Sequence, residues 1–392
     1  MPPNAQCSRS MTSNTLRVAF LNQSGASVGG AERTLATFLA NRPPDISPIV
    51  ICFEGGAFTK EMSELGIEVR VIAASLALKS STRERPTLAG TIAMLPVAWR
   101  LASLLRRERI DVLYTNTMKA HFIGALAGRI ARVPCLMHFH DIVEGNALGA
   151  LRFASRFGSS RRIACSNAVA TWMGLPNTRA IYGPVDLTVF DSMPSRSEAR
   201  AQLGLAADVP IVALIGRINR WKGHERFLRI AAEVLNSVDA MFLIVGSPIF
   251  RDEDFLDELR ASAVKLQLTR NVRFLPWTED VAGVYAAIDI NANCSDREPF
   301  GRAVVEAAAA GVPSILFSDS GAAETILGDI NGVVVPAGDE KVFANALLRM
   351  LERIRLSDYD ERAIRETAKR YDARSIAAEM AEEIRLTALD EL

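Results

Sequence analysis

No stretch of this 392-residue chain stays apolar for the roughly 18 residues a membrane-crossing helix requires. The nearest approach, Leu88 to Trp99, stops at Arg100 and is expected as part of a buried helix. The opening residues, MPPNAQCSRSMTSNT, lack the apolar segment of a secretory signal. Residues 1–15 are expected as a disordered leader, with Met11 as an alternative start. Cysteine is scarce: Cys7, Cys52, Cys135, Cys165 and Cys294 have neither metal-ligand nor disulfide-framework spacing. That excludes a zinc module and a stapled scaffold, and points to reduced thiols in a cytoplasmic protein. No repeat of solenoid period is visible.

The chain has a globular composition, 49% hydrophobic and 23% charged. Its length suits two α/β domains rather than one core. The formal net charge of zero conceals a division. Residues 1–183 carry 21 Lys+Arg against 11 Asp+Glu, and the remainder 24 against 34. Such asymmetry suggests that the first half meets an anionic surface. Within it, Leu148–Arg162 sets Arg152, Arg156, Arg161 and Arg162 among Leu151, Phe153 and Phe157. This stretch reads either as a segment lying on an anionic membrane or as a solvated helix with one core face.

Short β-branched runs alternate with helical patterns along the whole chain. Strands are predicted from Leu16–Leu21 to Arg162–Ala164, and again from Ile211–Ile215 to Gly332–Val335. Helices such as Gly30–Leu39, Leu88–Arg107, Glu225–Leu235 and Ala303–Ala310 fall between them. The alternation predicts an α/β protein with two doubly wound parallel sheets, whose ligands bind beyond the strand C-termini in a shared cleft. The expected divisions are a first domain over 16–183, a linker over 184–208, a second domain over 209–370, and a C-terminal helix over 371–392 that packs back on the first domain. The linker rests on Pro184, Pro194 and Pro210 and on weak periodicity between them.

Four constellations carry chemistry. A glycine-rich turn, Asn22 to Glu32 with Gly29 and Gly30, follows the first strand and opens a helix, where backbone N–H groups and the helix dipole suit an anion. Without G-x-G-x-x-G spacing it also reads as a plain strand–helix turn. In the second half, Gly216-Arg217-Ile218-Asn219-Arg220-Trp221-Lys222-Gly223 brings Arg217 and Lys222 to one point above a strand end. A guanidinium and an ammonium there suit a diphosphate whose charge grows as a bond breaks. Next, Asp296-Arg297-Glu298-Pro299-Phe300-Gly301-Arg302-Ala303-Val304-Val305-Glu306 places Glu298 in a tight loop and Glu306 in the following helix. Carboxylates there can accept sugar and ribose hydroxyls, while the N–H groups of Phe300 to Ala303 can face phosphate. Last, His138-Phe139-His140-Asp141 closes a strand. A metal role lacks further ligands, so a hydrogen bond to a sugar or a structural role is expected. The D-x-D triplets Asp252–Asp254 and Asp358–Asp360 read as helix caps rather than metal ligands.

With these motifs the chain resembles the retaining glycosyltransferases of family 4, of GT-B fold, over roughly Leu16 to Leu386. The resemblance implies two Rossmann-like domains facing each other across a cleft, and transfer of a hexose-type sugar from a nucleotide-diphosphate sugar to a saccharide or lipid-linked saccharide. It places Glu298 on the carbohydrate, Glu306 on the ribose, Arg217 and Lys222 on the diphosphate, and His140 near the reacting carbon. Gly29, Gly30, Phe300, Gly301 and Arg302 complete the implied donor site. It also implies no metal and no other cofactor, a phosphate oxygen as the base, and a UDP- or GDP-sugar as donor. No nucleic-acid partner is implied. Arg162 to Met173 resembles the family's strand–Ser–helix segment at Ser166. One departure is Tyr182-Gly183-Pro184-Val185-Asp186, where many members have Asn-Gly-Val-Asp. A cytoplasmic enzyme of glycan or exopolysaccharide assembly, peripheral at the inner face of the plasma membrane, is the resulting expectation. An epimerase of the same architecture and a catalytically silent partner subunit are the competing readings.

Overall fold

The computed structural model of the chain describes residues 15–26, 29–75, 78, 88–248 and 253–390. The expected leader, apart from Thr15, lies outside them. The chain forms two compact units: Met1–Phe139 with Glu144–Ile163 and Ala377–Leu392, and His140–Val143 with Ala164–Ile376.

A first, seven-stranded sheet is built from β1 (Leu16–Asn22), β2 (Ile46–Cys52), β3 (Glu68–Val71), β4 (Val112–Thr115), β5 (Cys135–Phe139), β6 (Arg161–Ala164) and β7 (Thr178–Ala180), in the order β3-β2-β1-β4-β5-β6-β7. Strand β1 is parallel to β2, from Leu16 opposite Ile46 to Asn22 opposite Cys52, and to β4 on its other side. Its near-continuous apolar residues follow from cover on both faces. The helices are α1 (Gly30–Ala40), α2 (Ala57–Glu64), α3 (Leu88–Ile92), α4 (Met94–Arg107), α5 (Met118–Ala131) and α6 (Gly145–Gly158). Gly158 lets α6 close on α5, because a Cβ there would stand 2.5 Å from Ala125 Cα.

Two expectations change in this unit. Leu88–Trp99 is not a buried helix. Val97, Ala98 and Leu101 of α4 face the core, but Ile92, Leu95 and Trp99 are 57%, 49% and 61% exposed. An apolar run reports hydrophobicity all round a helix, not how much of its circumference finds a partner. The four arginines of Leu148–Arg162 are likewise not one surface group. Arg161 begins β6 and pairs with Asp390 at 2.9 Å, and Arg162 donates to Ser159 Oγ at 3.1 Å.

The second sheet comprises β8 (Ile211–Ile215), β9 (Met241–Val245), β10 (Val272–Leu275), β11 (Ile290–Asn293), β12 (Ser314–Phe317) and β13 (Gly332–Val335), in the order β10-β9-β8-β11-β12-β13. Both sheets thus reverse direction beside their first strand, the doubly wound arrangement expected from the alternation. The helices that follow are α7 (Asn167–Met173), α8 (Arg196–Gln202), α9 (His224–Val234), α10 (Glu253–Lys265), α11 (Val281–Ala287), α12 (Arg302–Ala310), α13 (Glu340–Arg355), α14 (Glu361–Ala368) and α15 (Ala373–Leu389). Phe227 packs on Phe242 and Phe317 on Phe343, with ring centroids 5.5 and 4.9 Å apart, at the centre of the core.

The segment expected as a linker, 184–208, holds helix α8. Ser195 caps it, with Glu198 N donating to Ser195 Oγ at 3.3 Å and Ser195 N to Glu198 Oε2 at 2.9 Å. Arg200 is buried and donates to Asp289 Oδ2 at 2.6 Å and to the carbonyls of Ala287 and Val209 at 3.0 and 3.2 Å. These bonds tie α8 to the base of the second sheet. Three prolines in the surrounding sequence mask a helix that one buried guanidinium anchors. At the other end, Arg385 of α15 pairs with Asp45 at 2.8 Å, within the first unit. Among the described residues no helix is long and apolar enough to cross a membrane.

Candidate functional site

In the second sheet the order reverses between β8 and β11, so the loops leaving these two strands open a crevice at their C-terminal ends. After β8 comes Gly216, at φ +156°, then Arg217, which is exposed and has no hydrogen-bond or ionic partner among the described residues. Asn219 Oδ1 accepts from Lys222 N at 3.2 Å and tightens the turn. Gly223, at φ +74°, lets this loop touch the end of β11, because a Cβ there would lie 1.9 Å from the Cys294 carbonyl oxygen. His224 is wholly buried, and burial pushes its imidazole down to about 4, so it is neutral at pH 7.

The loop after β11 brings Glu298 to the same place. Lys222 Nζ lies 2.5 Å from Glu298 Oε2, and Ser295 Oγ donates to that oxygen at 2.9 Å. The Lys222 ammonium also stands 4.3 Å from the centroid of the Trp221 ring. Gly301, at φ +81°, caps α12 where a Cβ would collide with Ala322 Cβ at 2.3 Å. The backbone N–H groups of Gly301, Arg302 and Ala303 have no protein acceptor among the described residues. One turn on, Glu306 accepts from Arg302 Nε at 2.7 Å and from the Tyr285 hydroxyl at 3.3 Å. Arg302 also donates to the Pro184 carbonyl at 3.0 Å. Burial, then the Glu306 charge, raises the Tyr285 phenol well above its ordinary range, so it remains a donor. Arg217, Lys222, Glu298, Phe300, Gly301, Arg302 and Glu306 therefore lie in the two loops and one helix that leave neighbouring strands.

A second network braces this loop. Ser166 Oγ donates to the Pro299 carbonyl at 2.6 Å and accepts from Val169 N at 3.1 Å, capping α7. Glu324 accepts from Asn167 N at 3.0 Å, Ala168 N at 2.6 Å and the Tyr182 hydroxyl at 3.0 Å. The Tyr182 ring packs 6.0 Å from Phe300 and 5.3 Å from Tyr371. The departure at Tyr182 is thus a packing feature beneath the Glu298 loop.

In the first unit, Gly29 N donates to Glu32 Oε2 at 3.0 Å, and Asn22 Nδ2 reaches Glu32 Oε1 at 3.1 Å. A Cβ at Gly30 would meet nothing within 4 Å, so the fold itself does not require glycine there. Ser27 and Val28 lie outside the described residues. His138 is wholly buried and hydrogen-bonded to the Tyr114 hydroxyl, the structural alternative for that residue. His140 follows β5, and burial lowers its imidazole to about 3, which keeps it neutral. No cluster of metal-ligating side chains occurs among the described residues. Asp360 caps α14, accepting from Arg362 N and Ala363 N at 2.9 and 3.1 Å, and Asp358 pairs with Arg353 at 2.9 Å. Asp252 lies outside the described residues.

Two family profiles match in succession: Glycosyltransferase Family 4 over residues 57–189, and Glycosyl transferases group 1 over residues 195–370. The chain belongs to the group 1, family 4 glycosyltransferases. It is 32% identical over 203 residues to a D-inositol 3-phosphate glycosyltransferase of Saccharomonospora viridis, covering 50% of this chain and 47% of that one. It is 24% identical over 290 residues to the UDP-Gal:alpha-D-GlcNAc-diphosphoundecaprenol alpha-1,3-galactosyltransferase of Escherichia coli, covering 68% and 74%. The matches span 39–64% of the length of the first curated relatives. Among solved structures, Anabaena HepE in complex with UDP has a TM-score of 0.81 and 28% identity, over 95% of this chain and all of that one. HepE has also been crystallised with UDP and glucose and with UDP-glucose.

For this family 4 chain, three residues of the site escaped the sequence reading. Ser295, three positions before Glu298, was the one within reach, as a hydroxyl beside a loop carboxylate. Tyr285 and Glu324 act from other segments, and nothing in their local sequence marks them.

Proposed function

We propose that the chain is a retaining glycosyltransferase that moves a hexose from a nucleotide-diphosphate sugar, with UDP as the nucleotide, to a saccharide or lipid-linked saccharide without a metal ion. The unpaired Arg217 beside the Lys222–Glu298 pair and the open N-terminus of α12 carries this reading. The unspent donors are what a diphosphate leaving group would take. Lys222 would release part of its hold on Glu298 and turn to phosphate, which frees the carboxylate for sugar hydroxyls. Glu306, oriented by Arg302 and Tyr285, would accept the ribose hydroxyls. Gly29 and Gly30 would let backbone approach the donor, and the neutral His140 would donate to the sugar. In this scheme residues 16–183 serve the acceptor and residues 209–370 the donor. The HepE complexes support the choice of UDP, and the galactosyltransferase relative that of a lipid-linked acceptor. The enzyme would work at the cytoplasmic face of the membrane.

The test is to incubate the protein with UDP-sugars and saccharide acceptors and follow the product's anomeric proton by NMR, with and without excess EDTA. The expected product keeps the donor's anomeric configuration, and its rate is unchanged by EDTA. An inverted product would refute retention. Loss of activity that Mg²⁺ or Mn²⁺ restores would refute metal independence. Donor consumed without acceptor, with an epimer as product, would favour the epimerase.

A further inference from the structure

Helices α3 to α6 share an unusual charge pattern. Residues 88–107, 118–131 and 145–158 contain Arg100, Arg106, Arg107, Lys119, Arg129, Arg152 and Arg156 and not one Asp or Glu. Helices α4 and α6 both pack against α5, which lies between them. On the α3–α4 side, Ile92, Leu95 and Trp99 recur at helical spacing as one exposed row. On the α6 side, Phe153 and Phe157 are 72% and 48% exposed, with rings nearly parallel and centroids 6.3 Å apart. Arg129 of α5 covers the Phe157 ring at 5.2 Å. The inner faces are satisfied by Val97, Leu101 and Leu105 on α4 and by Leu151, Ala154 and Gly158 on α6.

We propose that this face docks on an anionic phospholipid surface, with the Ile92–Leu95–Trp99 row and the Phe153–Phe157 pair as two apolar anchors on either flank of α5. The inference rests on the reading of a membrane-borne acceptor and gives that reading a surface. Aromatic side chains flanked by arginines suit the headgroup boundary, where rings enter the acyl region and guanidiniums meet lipid phosphate. A second copy is the poorer occupant. Apposing the same face would set the exposed Arg100, Arg106, Arg129 and Arg156 of one copy against those of the other, with no Asp or Glu within these helices to offset them.

The experiment uses the full chain with phosphatidylcholine vesicles, with or without phosphatidylglycerol, some carrying brominated acyl chains. The protein is expected to sediment with the anionic vesicles at low salt and to leave them at high salt. Brominated lipid is expected to quench a fluorescence component that Trp99→Phe lacks. The pairs Ile92→Ser/Trp99→Ser and Phe153→Ser/Phe157→Ser should each weaken partitioning about tenfold or more at an unchanged melting temperature. Trp99-independent quenching, unaltered partitioning of both pairs, or a lipid-free dimer broken by Trp99→Ser would each overturn the proposal. Docking by a protein that transfers only to soluble saccharides would leave this inference standing and refute the membrane-borne acceptor. Transfer to a lipid-linked acceptor without docking would do the reverse.

Discussion

The two sheets follow one strand order yet finish their switch points differently. Beside β1, the polar groups satisfy each other: Asn116 Nδ2 donates to Asn22 Oδ1 at 3.0 Å, Asn22 to Glu32, and Glu32 takes the Gly29 N–H. Beside β8, a side-chain cation is left over: Arg217 is exposed and has no hydrogen-bond or ionic partner among the described residues, while the first N–H groups of α12 are open just as those of α1 are. Topology supplies the crevice in both units, and side chains decide which crevice is poised for an anion. The unpaired cation, not the fold or the helix N-terminus, is what would make the second unit the donor side.

The glycines give the sharpest contrast. Gly223→Ala forces a Cβ to 1.9 Å from the Cys294 carbonyl at φ +74°, so a loss of about 3 kcal/mol or more is expected in chemical denaturation. Gly30→Ala, with open space around it, should change stability by less than about 0.5 kcal/mol while lowering turnover if a donor approaches there. Equal stability losses in the two variants would erase the comparison.

Arg217→Ala and Lys222→Ala come next. Each should lower kcat on the order of 100-fold with a smaller change in affinity for uridine, because the charge they meet develops in the transition state. Asn22→Ala, in the self-satisfied first crevice, should act mainly on stability. If kcat fell equally in all three, the two crevices would not differ in role.

Much of this was legible in the sequence because parallel strands buried on both faces leave β-branched runs, and because loops at strand ends carry Gly and charge in contiguous order. Arg217, Lys222 and Glu298 fall within two such loops, and Glu306 in the helix that follows the second. What stayed hidden needed distance across the chain. The Arg200–Asp289 bond spans 89 positions and the Glu324 contacts to α7 span more than 150, so the anchor of the helix at 196–202 and the brace under Pro299 have no local signature, although Ser195 and Glu198 mark where that helix starts. The exposure of Trp99 was hidden for another reason, since an apolar helix looks alike whether one face or every face is covered.

A smaller effect concerns pH. His140 and His224 are held neutral, near 3 and 4, below the ordinary value of 6.5. The unfolded chain therefore binds more protons as pH falls below 6.5, and stability should decline from there toward pH 4. Unfolding midpoints across that range check this, and His224→Gln should flatten the slope. The smallest expected signal is from thiols. Cys52, Cys135, Cys165 and Cys294 are buried with thiols raised by burial, so they should react with a disulfide reagent only after unfolding. Rapid reaction of any of these four in the native protein would contradict their burial.

The central claim, that the crevice beside β8 handles the sugar diphosphate, is tested most directly with Glu298→Gln. Removing the carboxylate that holds Lys222 at 2.5 Å leaves the ammonium free for phosphate. The variant should bind UDP at least as tightly as the wild type in thermal-shift titration, yet transfer sugar from the UDP-sugar about 100-fold more slowly or worse. Wild-type turnover with Glu298→Gln, or loss of UDP binding with the fold intact, would contradict it.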